Sequence, residues 1–159
     1  MADIYSATVS WSRGDQDFSG SRYSRRHEWR FDGGVVVPAS SSPLVVPVPL
    51  SASDAVDPEE AFVASLASCH MLFFLSFAAK AGLIIDAYTD NAIGEMGKNA
   101  TGKHYVARVV LCPALTLSGS KRPTAEEIEA LHHRAHDVCF IANSVLSEIV
   151  IEPPPPVFV

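Results

Sequence analysis

Polar and apolar residues alternate near the N-terminus with the period of two that is typical of β-strands. Residues 5–11, YSATVSW, place apolar side chains on one face and hydroxyls on the other, which predicts a half-buried strand. A second strand is predicted at 27–31, HEWRF. The DGG that follows is typical of a hairpin turn, so the VVV at 35–37 is expected to return as the paired strand.

The pattern then becomes irregular before it changes to that of a helix. Residues 38–57 are rich in proline and serine, and the prolines within LVVPVPL favour an edge strand or an extended loop. A long helix is predicted next. Asp57 can cap its first turn, Pro58 suits the first helical position, and Gly82 is suited to end it.

This predicted helix is apolar on nearly all sides, as a membrane-spanning helix would be. Four polar residues interrupt the apolar run; they are Ser65, Ser68, His70 and Ser76. No second apolar segment of this length occurs in the sequence. A helix buried on all sides within a soluble domain is therefore the better interpretation, and no membrane is expected as a partner.

The second half of the chain predicts strands followed by another helix. Residues 83–96 and 104–117 read as two long strands joined by a turn, a β-meander. Thr124 and Glu127 have capping-box spacing at the start of a helix that is expected to end near Asn143. Residues 145–151 predict a last strand, and the EPPPP that follows predicts an extended, rigid arm. Strands, a buried helix, more strands and a second helix together indicate an α+β domain.

Composition limits the size and the partners of this domain. The chain has 159 residues, of which 48% are hydrophobic and 19% charged, so a single domain over 1–159 is expected. A net charge of -6 argues against nucleic acid as a partner. The first residues lack the basic and apolar regions of a secretory signal, which predicts a cytoplasmic protein whose three cysteines are reduced at rest.

Two of the cysteines are predicted to face the interior. Cys69 lies within the long apolar helix, and Cys139 lies on the apolar stripe of the second helix. Packing of the two helices could bring the thiols within reach of each other, so they form a candidate pair of nucleophile and resolving thiol. Cys112 directly precedes Pro113 and has no acid, base or second thiol near it in sequence, so it is interpreted as a packing residue.

A zinc site is the alternative interpretation of the second helix. His132, His136 and Cys139 are spaced so that they share roughly one face, and Cys69 and His70 offer further ligands. This alternative would make the chain a zinc-binding structural protein rather than an enzyme. On an ideal helix His70 faces about 100° away from Cys69, so we expect it to support the site or an interface rather than act as its base.

Two segments carry a resemblance to a known family. DPEEAFVASLASCHMLFFL at 57–75 and AHDVCFIANS at 135–144 resemble the OsmC/Ohr family of thiol-dependent hydroperoxide reductases. The shared features are the Asp-Pro-Glu helix start, a cysteine ten residues after that glutamate, and a second helix with the pattern AHxxC. The resemblance covers residues 57–144, and the order of strands and helices around them also fits.

The resemblance implies a fold, an assembly and roles for four residues. The fold would be OsmC-like, with antiparallel sheets, two main helices of which the longer is buried, and an intertwined homodimer. Cys69 would be the peroxidatic thiol and Cys139 the resolving thiol. Glu59 would pair with an N-terminal arginine. A dithiol, of the lipoyl type in this family, would be the reductant.

The catalytic arginine that the resemblance implies cannot be identified by a motif, because the arginine motif usual in the family is absent from the N-terminal strands. Residues 22–30, RYSRRHEWR, offer Arg22, Arg25, Arg26 and Arg30, of which we favour Arg25 and then Arg26. Peroxide cleavage needs a thiolate and a cation that stabilises the developing negative charge. A buried guanidinium in turn needs a carboxylate.

The surroundings of Cys69 indicate the substrate class. Leu66, Leu72, Phe73 and Phe74 are predicted to form an apolar pocket that suits organic rather than hydrogen peroxide. Glu59 precedes Cys69 by ten residues, or about 15 Å along an unbroken helix, so the two cannot meet directly. A long arginine would bridge part of that gap, or the groups would converge across a dimer interface.

We therefore predict thiol-dependent reduction of organic hydroperoxides in defence against oxidative stress. The peroxide step needs no organic cofactor, and Cys139 would condense with the oxidised Cys69. Besides the zinc-binding alternative, a nonenzymatic module that binds an apolar ligand remains a competing hypothesis.

Overall fold

The structure, a computed structural model, describes residues 2–159. The chain divides into two compact units, one ending at Ala61 and the other formed by Phe62–Val159. Each is described separately below, and the single-domain organisation over 1–159 stays a prediction.

The first unit contains a three-stranded antiparallel sheet. Its strands are β1 (Ala7–Ser10), β2 (His27–Phe31) and β3 (Val36–Ala39), in that order across the sheet. Gly34 turns the chain between β2 and β3 with φ of 81°, and its N–H donates to the carbonyl of Phe31 at 3.0 Å. The three N-terminal strands predicted from the sequence are confirmed, and so is the irregular segment that follows them.

Helix α1 runs from Pro58 to Lys80. Its first turn is capped reciprocally, because the Glu60 N–H donates to Asp57 Oδ1 at 2.8 Å and the Asp57 N–H donates to Glu60 Oε2 at 3.3 Å. Beyond its end Gly82 has φ of 74°, a conformation that favours glycine. The predicted start and end of this helix are confirmed.

Helix α1 is long and apolar enough to cross a membrane by length and composition. The structure buries only one stripe of it in the second unit, so the expectation of a helix buried on all sides is wrong, and the remaining faces are exposed or half-buried. That stripe consists of Leu66, His70, Phe74, Phe77 and Ala78. His70, the one polar residue of this stripe, contacts His132 of the second helix.

Two three-stranded sheets form the second unit, in the orders β4-β7-β9 and β5-β6-β8. The strands are β4 (Ile84–Asp90), β5 (Ile93–Lys98), β6 (His104–Leu111), β7 (Pro113–Ser118), β8 (Glu148–Ile151) and β9 (Val157–Phe158). β4 pairs antiparallel with β7, and β5 pairs antiparallel with β6.

The two long strands predicted at 83–96 and 104–117 are therefore each broken in two, and their halves belong to different sheets. The break between β6 and β7 falls at Cys112 and Pro113. Pro113 has no N–H to donate, and the N–H of Cys112 leaves the ladder and donates to Asp90 Oδ1 at 2.7 Å. A side chain thus satisfies the backbone group that the break would otherwise leave without a partner.

The C-terminal tail does not extend outward as the rigid arm that the prolines predicted. β8 lies parallel to β6, as the predicted last strand, and β9 lies parallel to β7. The Val159 N–H donates to the carbonyl of Leu117 at 2.9 Å. The prolines at 153–156 carry the chain from one sheet to the other without taking part in either ladder.

Helix α2 spans Ala125–Val138 and begins with the predicted capping box of Thr124 and Glu127. It ends earlier than predicted, because Cys139 already has an extended backbone. The Asn143 side chain donates to the carbonyls of Asp137 and Cys139 at 3.0 Å each. These bonds satisfy acceptors at the helix end and turn the chain into a short 3₁₀ helix, Ala142–Ser144.

The fold is α+β, with two main helices and antiparallel to mixed sheets, as predicted. Its second unit has two clusters of buried apolar residues, and α1 contributes to both. One cluster contains Phe74, Phe77 and Leu117, and the other contains Leu66 and Cys139.

Candidate active site

Cys69 and Cys139 lie together at one of the two apolar clusters. Cys139, at the end of α2, is fully buried with Leu66, Val109 and Leu111. Cys69, on α1, is half-buried and packs against this cluster. Both thiols are reduced, and Cys69 is close enough to Cys139 to raise its pKa. The structure thus brings together two cysteines that are seventy residues apart in sequence.

The two thiols have different environments. Burial, with the neighbouring Cys69 as a smaller cause, raises the pKa of Cys139 to about 11, against an opposing hydrogen bond from the Ala142 N–H. The Ala142 N–H lies 3.4 Å from Cys139 Sγ. Cys139 is therefore a neutral thiol at pH 7, while Cys69 is the thiol that solvent can reach.

Aromatic and aliphatic side chains surround the two sulfurs, but they are only partly the predicted set. Leu66 and Phe73 pack at the thiol cluster as expected. Phe74 belongs to the other cluster, because five positions along a helix turn a side chain about 140° from Cys69. Leu72 is exposed to solvent rather than part of a pocket wall.

Phe140 is an apolar residue next to the thiols that the sequence did not assign to the pocket. It follows Cys139 directly and meets the ring of Phe73 edge-on, with ring centroids 5.2 Å apart. Phe140 itself is 69% exposed. The pair forms an aromatic edge beside the thiol cluster, open to solvent on one side.

Three of the four candidate arginines are paired with carboxylates in the first unit. The pairs are Arg22 with Asp17, Arg26 with Asp54, and Arg30 with Glu28. Arg25 is different: its guanidinium lies over the ring of Tyr23, 3.9 Å from the centroid, and donates to the carbonyls of Ser21 and Tyr23. It forms no ion pair with any carboxylate in the described part of the chain.

Glu59 lies in the first turn of α1. Its Oε2 atom is buried and finds no hydrogen-bond partner among residues 2–159. Among the described residues, Arg25 is thus a half-buried cation with no carboxylate partner, and Glu59 has a buried carboxylate oxygen with no hydrogen-bond donor. No ion pair joins the two within the described residues.

His70 and His132 form a buried contact that sequence reasoning missed. His70 Nε2 and His132 Nδ1 lie 3.0 Å apart, and the rings are nearly parallel, with an interplanar angle of 9°. Burial, with neighbouring histidines as a smaller cause, lowers the pKa of His70 to about 4 and of His132 to about 3. Both rings are therefore neutral at pH 7. The available signal was that His132 lies on the same apolar stripe as Ile128 and Ala135.

The proposed zinc ligands are not brought together. His132 is engaged with His70, whereas Cys139 lies in the thiol cluster two helical turns further along α2. Across residues 2–159 there is no group of three or more His, Cys, Asp or Glu side chains arranged to hold a metal ion. Cys112, the third cysteine, does not pack at the thiol cluster.

A cleft of about 400 Å³ lies between α2 and the last part of the chain. Its walls combine polar side chains of α2 with apolar residues of β8 and a proline that follows; they are Glu129, His132, His133, His136, Ile149, Val150, Ile151 and Pro153. Three imidazoles and a carboxylate on one wall make it unlike a purely apolar ligand site.

Comparison with known proteins identifies relatives of this fold. A family model described as OsmC-like protein matches residues 51–153. The structure of an OsmC-like protein of unknown function from Vibrio cholerae is 54% identical with a TM-score of 0.94, and the match covers 96% of this chain and 100% of that one. No match is found among curated proteins.

Two more distant structures share the fold. An organic hydroperoxide resistance protein from Elizabethkingia anophelis is 20% identical, with a TM-score of 0.66 over 99% of this chain and 98% of that one. The organic hydroperoxide resistance protein OhrB of Bacillus subtilis is 16% identical, with a TM-score of 0.63 over 96% and 98%. At these identities the likeness is one of fold.

Proposed function

The chain belongs to the OsmC-like family, and on that premise we propose that it reduces organic hydroperoxides with two thiols, as a defence against oxidative stress. Cys69 is the peroxidatic cysteine and Cys139 the resolving one. The observation that carries this assignment is that both cysteines pack at one apolar cluster, where Cys139 is buried and Cys69 is open to solvent. The hydroperoxide resistance proteins that share the fold support the choice of reaction.

The reaction follows from these two environments. The Cys69 thiolate attacks one peroxide oxygen, the O–O bond breaks, and the alkoxide takes up a proton and leaves as the alcohol. Cys69 is then a sulfenic acid. Cys139 attacks that sulfur, water leaves, and a Cys69–Cys139 disulfide remains. An external dithiol, for which the family resemblance suggests the lipoyl type, reduces the disulfide, and no organic cofactor takes part.

We assign Arg25 the role of the cation that stabilises the thiolate and the developing alkoxide, and Glu59 the role of its carboxylate partner. Arg25 is the candidate whose guanidinium is free of ion pairs with carboxylates in the described residues. The buried Glu59 Oε2, which lacks a donor in that part of the chain, is suited to receive one. Arg26 is the second choice for the cation.

The exposed apolar surface supports a homodimer. Nine large hydrophobic side chains of the described residues are at least 61% exposed; they are Ile4, Tyr5, Val9, Leu44, Val45, Leu72, Phe140, Leu146 and Val159. Where such side chains form a contiguous patch, the surface is typical of a protein–protein interface. A second copy of this chain is the partner that the family resemblance implies. We place the protein in the cytoplasm, with neither nucleic acid nor membrane as a partner.

The direct test of this function is a turnover assay with matched cysteine variants. Wild type should consume cumene hydroperoxide faster than hydrogen peroxide when dihydrolipoamide is supplied as the reductant. Cys69→Ser should lose this activity, whereas Cys112→Ser, which removes a thiol outside the cluster, should keep it. Full activity in Cys69→Ser would refute the assignment.

A further inference from the structure

The contact between α1 and α2 contains a polar pair that the proposed chemistry does not use. His70 and His132 are 1% and 2% exposed. Their facing ring nitrogens lie 3.0 Å apart, and Phe74 stacks on the His132 ring with centroids 4.2 Å apart. Two buried imidazoles in an apolar core are costly unless each satisfies the other.

The hydrogen bond places a strict demand on the pair. A neutral imidazole has one N–H and one acceptor nitrogen, so one ring donates while the other accepts. The remaining nitrogens, His70 Nδ1 and His132 Nε2, are buried without a partner in the described residues. Each ring therefore depends on the other for its only hydrogen bond, and removal of either ring leaves a buried polar group unsatisfied.

The positions of these residues relate the pair to the thiols. Cys69 and His70 are consecutive on α1, so their side chains diverge by about 100°. Cys139, at whose cluster Cys69 packs, and His132, which contacts His70, are seven residues apart, or about 10 Å along a helix. The histidine contact thus lies about two helical turns before the thiol site along α2.

Apolar packing holds α2 in place, because Ile128 and Ala135 are buried in the cluster that contains Phe74 and Phe77 of α1. The His70–His132 hydrogen bond adds a directional contact to this packing, about 10 Å along the chain from the thiol site. Disulfide formation demands a narrow geometry of the two sulfurs, so a small rotation of α2 changes its rate.

We propose that His70 and His132 are positioning residues that set the approach of Cys139 to Cys69 for disulfide formation. The proposal rests on the two-thiol function proposed above. It gives the pair no part in peroxide cleavage, and it predicts that loss of the hydrogen bond slows resolution but not the first attack. Sulfenic acid at Cys69 would then persist and be oxidised further to sulfinic acid.

The test compares variants of similar size and different reach. His132→Phe keeps a planar ring on Phe74 but removes the hydrogen bond. His132→Asn places an amide where Nδ1 lies, whereas His132→Gln places the same amide one atom further out, near Nε2. His133→Gln is the matched control, because His133 is an exposed residue of the same helix.

The readout is the ratio of sulfinic acid to Cys69–Cys139 disulfide after a fixed dose of cumene hydroperoxide, measured by mass spectrometry. His132→Phe should raise this ratio by about 2- to 10-fold, the factor that corresponds to one net hydrogen bond. His132→Gln should raise it similarly, and His132→Asn and His133→Gln should stay close to wild type. The rate of peroxide loss in a single turnover should be unchanged in all four.

Equal ratios in wild type and in a folded His132→Phe protein would overturn the proposal. If that variant does not fold, the comparison of the two amides decides: equal ratios in His132→Asn and His132→Gln would show that the position of the polar atom does not matter. Absence of any Cys69–Cys139 disulfide in wild type would instead refute the two-thiol function itself, and the positioning role with it.

Discussion

Replacement of Cys139 by serine separates the two steps of the proposed reaction. Cys139 is fully buried with Leu66 and Val109, and its sulfur receives the Ala142 N–H at 3.4 Å. Burying a hydroxyl in such a place costs about 1–3 kcal/mol. The same N–H can donate to the serine oxygen, which offsets part of that cost, so we expect Cys139→Ser to remain folded.

The chemical effect of the substitution is much larger than its effect on stability. Well-oriented groups within one molecule react as though at effective concentrations of about 10⁵ M or more, whereas peroxide in the assay is millimolar. Even if Cys139 reaches a small fraction of that value, it captures the sulfenic acid before a second peroxide does. Cys139→Ser should therefore accumulate at least about 100-fold more sulfinic acid at Cys69 than wild type does.

Mass spectrometry of the intact chain and its peptides, after several equivalents of cumene hydroperoxide, measures this accumulation. Wild type should lose two hydrogens, and Cys139→Ser should instead gain one and then two oxygens at Cys69. Cys112→Ser is the control and should behave like wild type. Equal resistance of wild type and Cys139→Ser to overoxidation would refute the pairing of Cys69 with Cys139.

Three further predictions address the cation, the strand break and the buried histidines. Arg25→Met should lower the rate of peroxide reduction by about 30- to 1,000-fold, because it removes about 2–4 kcal/mol of charge stabilisation. Stopped-flow kinetics tests this, with Arg22→Met as the control, and an unchanged rate would move the role to another arginine. Asp90→Ala should lower the free energy of unfolding in urea by about 1–3 kcal/mol, because it leaves a backbone N–H without its acceptor. Asp90→Asn should not lower this free energy, because its amide oxygen can still accept from the Cys112 N–H. Burial already raises the pKa of the Asp90 carboxyl. Equal losses in both variants would contradict this explanation. The free energy of unfolding should also fall as the pH falls from about 6.5 towards 4, because histidines of the unfolded chain take up protons there while burial holds the pKa of His70 at about 4 and of His132 at about 3. The slope of this fall is at most about 1.4 kcal/mol per pH unit for each histidine. Urea unfolding of a double variant, His70→Gln with His132→Asn, should lack this slope. Parallel stability curves for this variant and wild type would show that the histidine pair is not the cause.

Local signals in the sequence were enough to predict both helix starts. Asp57 with Glu60, and Thr124 with Glu127, satisfy helix-end N–H groups through side chains only three residues away. Such contacts depend on neighbours in sequence and so can be predicted from them. The same holds for the inward faces of Cys69 and Cys139, which follow from helical periodicity.

The features that the sequence did not predict depend on distant partners. The break between β6 and β7 is stabilised by Asp90, twenty-two residues before the N–H that it accepts. The pairing of β9 with β7 requires the prolines of the tail to cross between sheets. His70 and His132 are sixty-two residues apart, and no local pattern shows that the two rings will meet.

The central claim is that one peroxide converts Cys69 and Cys139, and no other cysteine, into a disulfide. Treatment of the reduced protein with one equivalent of cumene hydroperoxide, followed by alkylation and peptide mapping, tests it directly. The account predicts that two thiols per chain are consumed, that the recovered crosslink joins Cys69 to Cys139, and that Cys112 is alkylated. An unmodified Cys69, or a crosslink from Cys69 to Cys112, would contradict it.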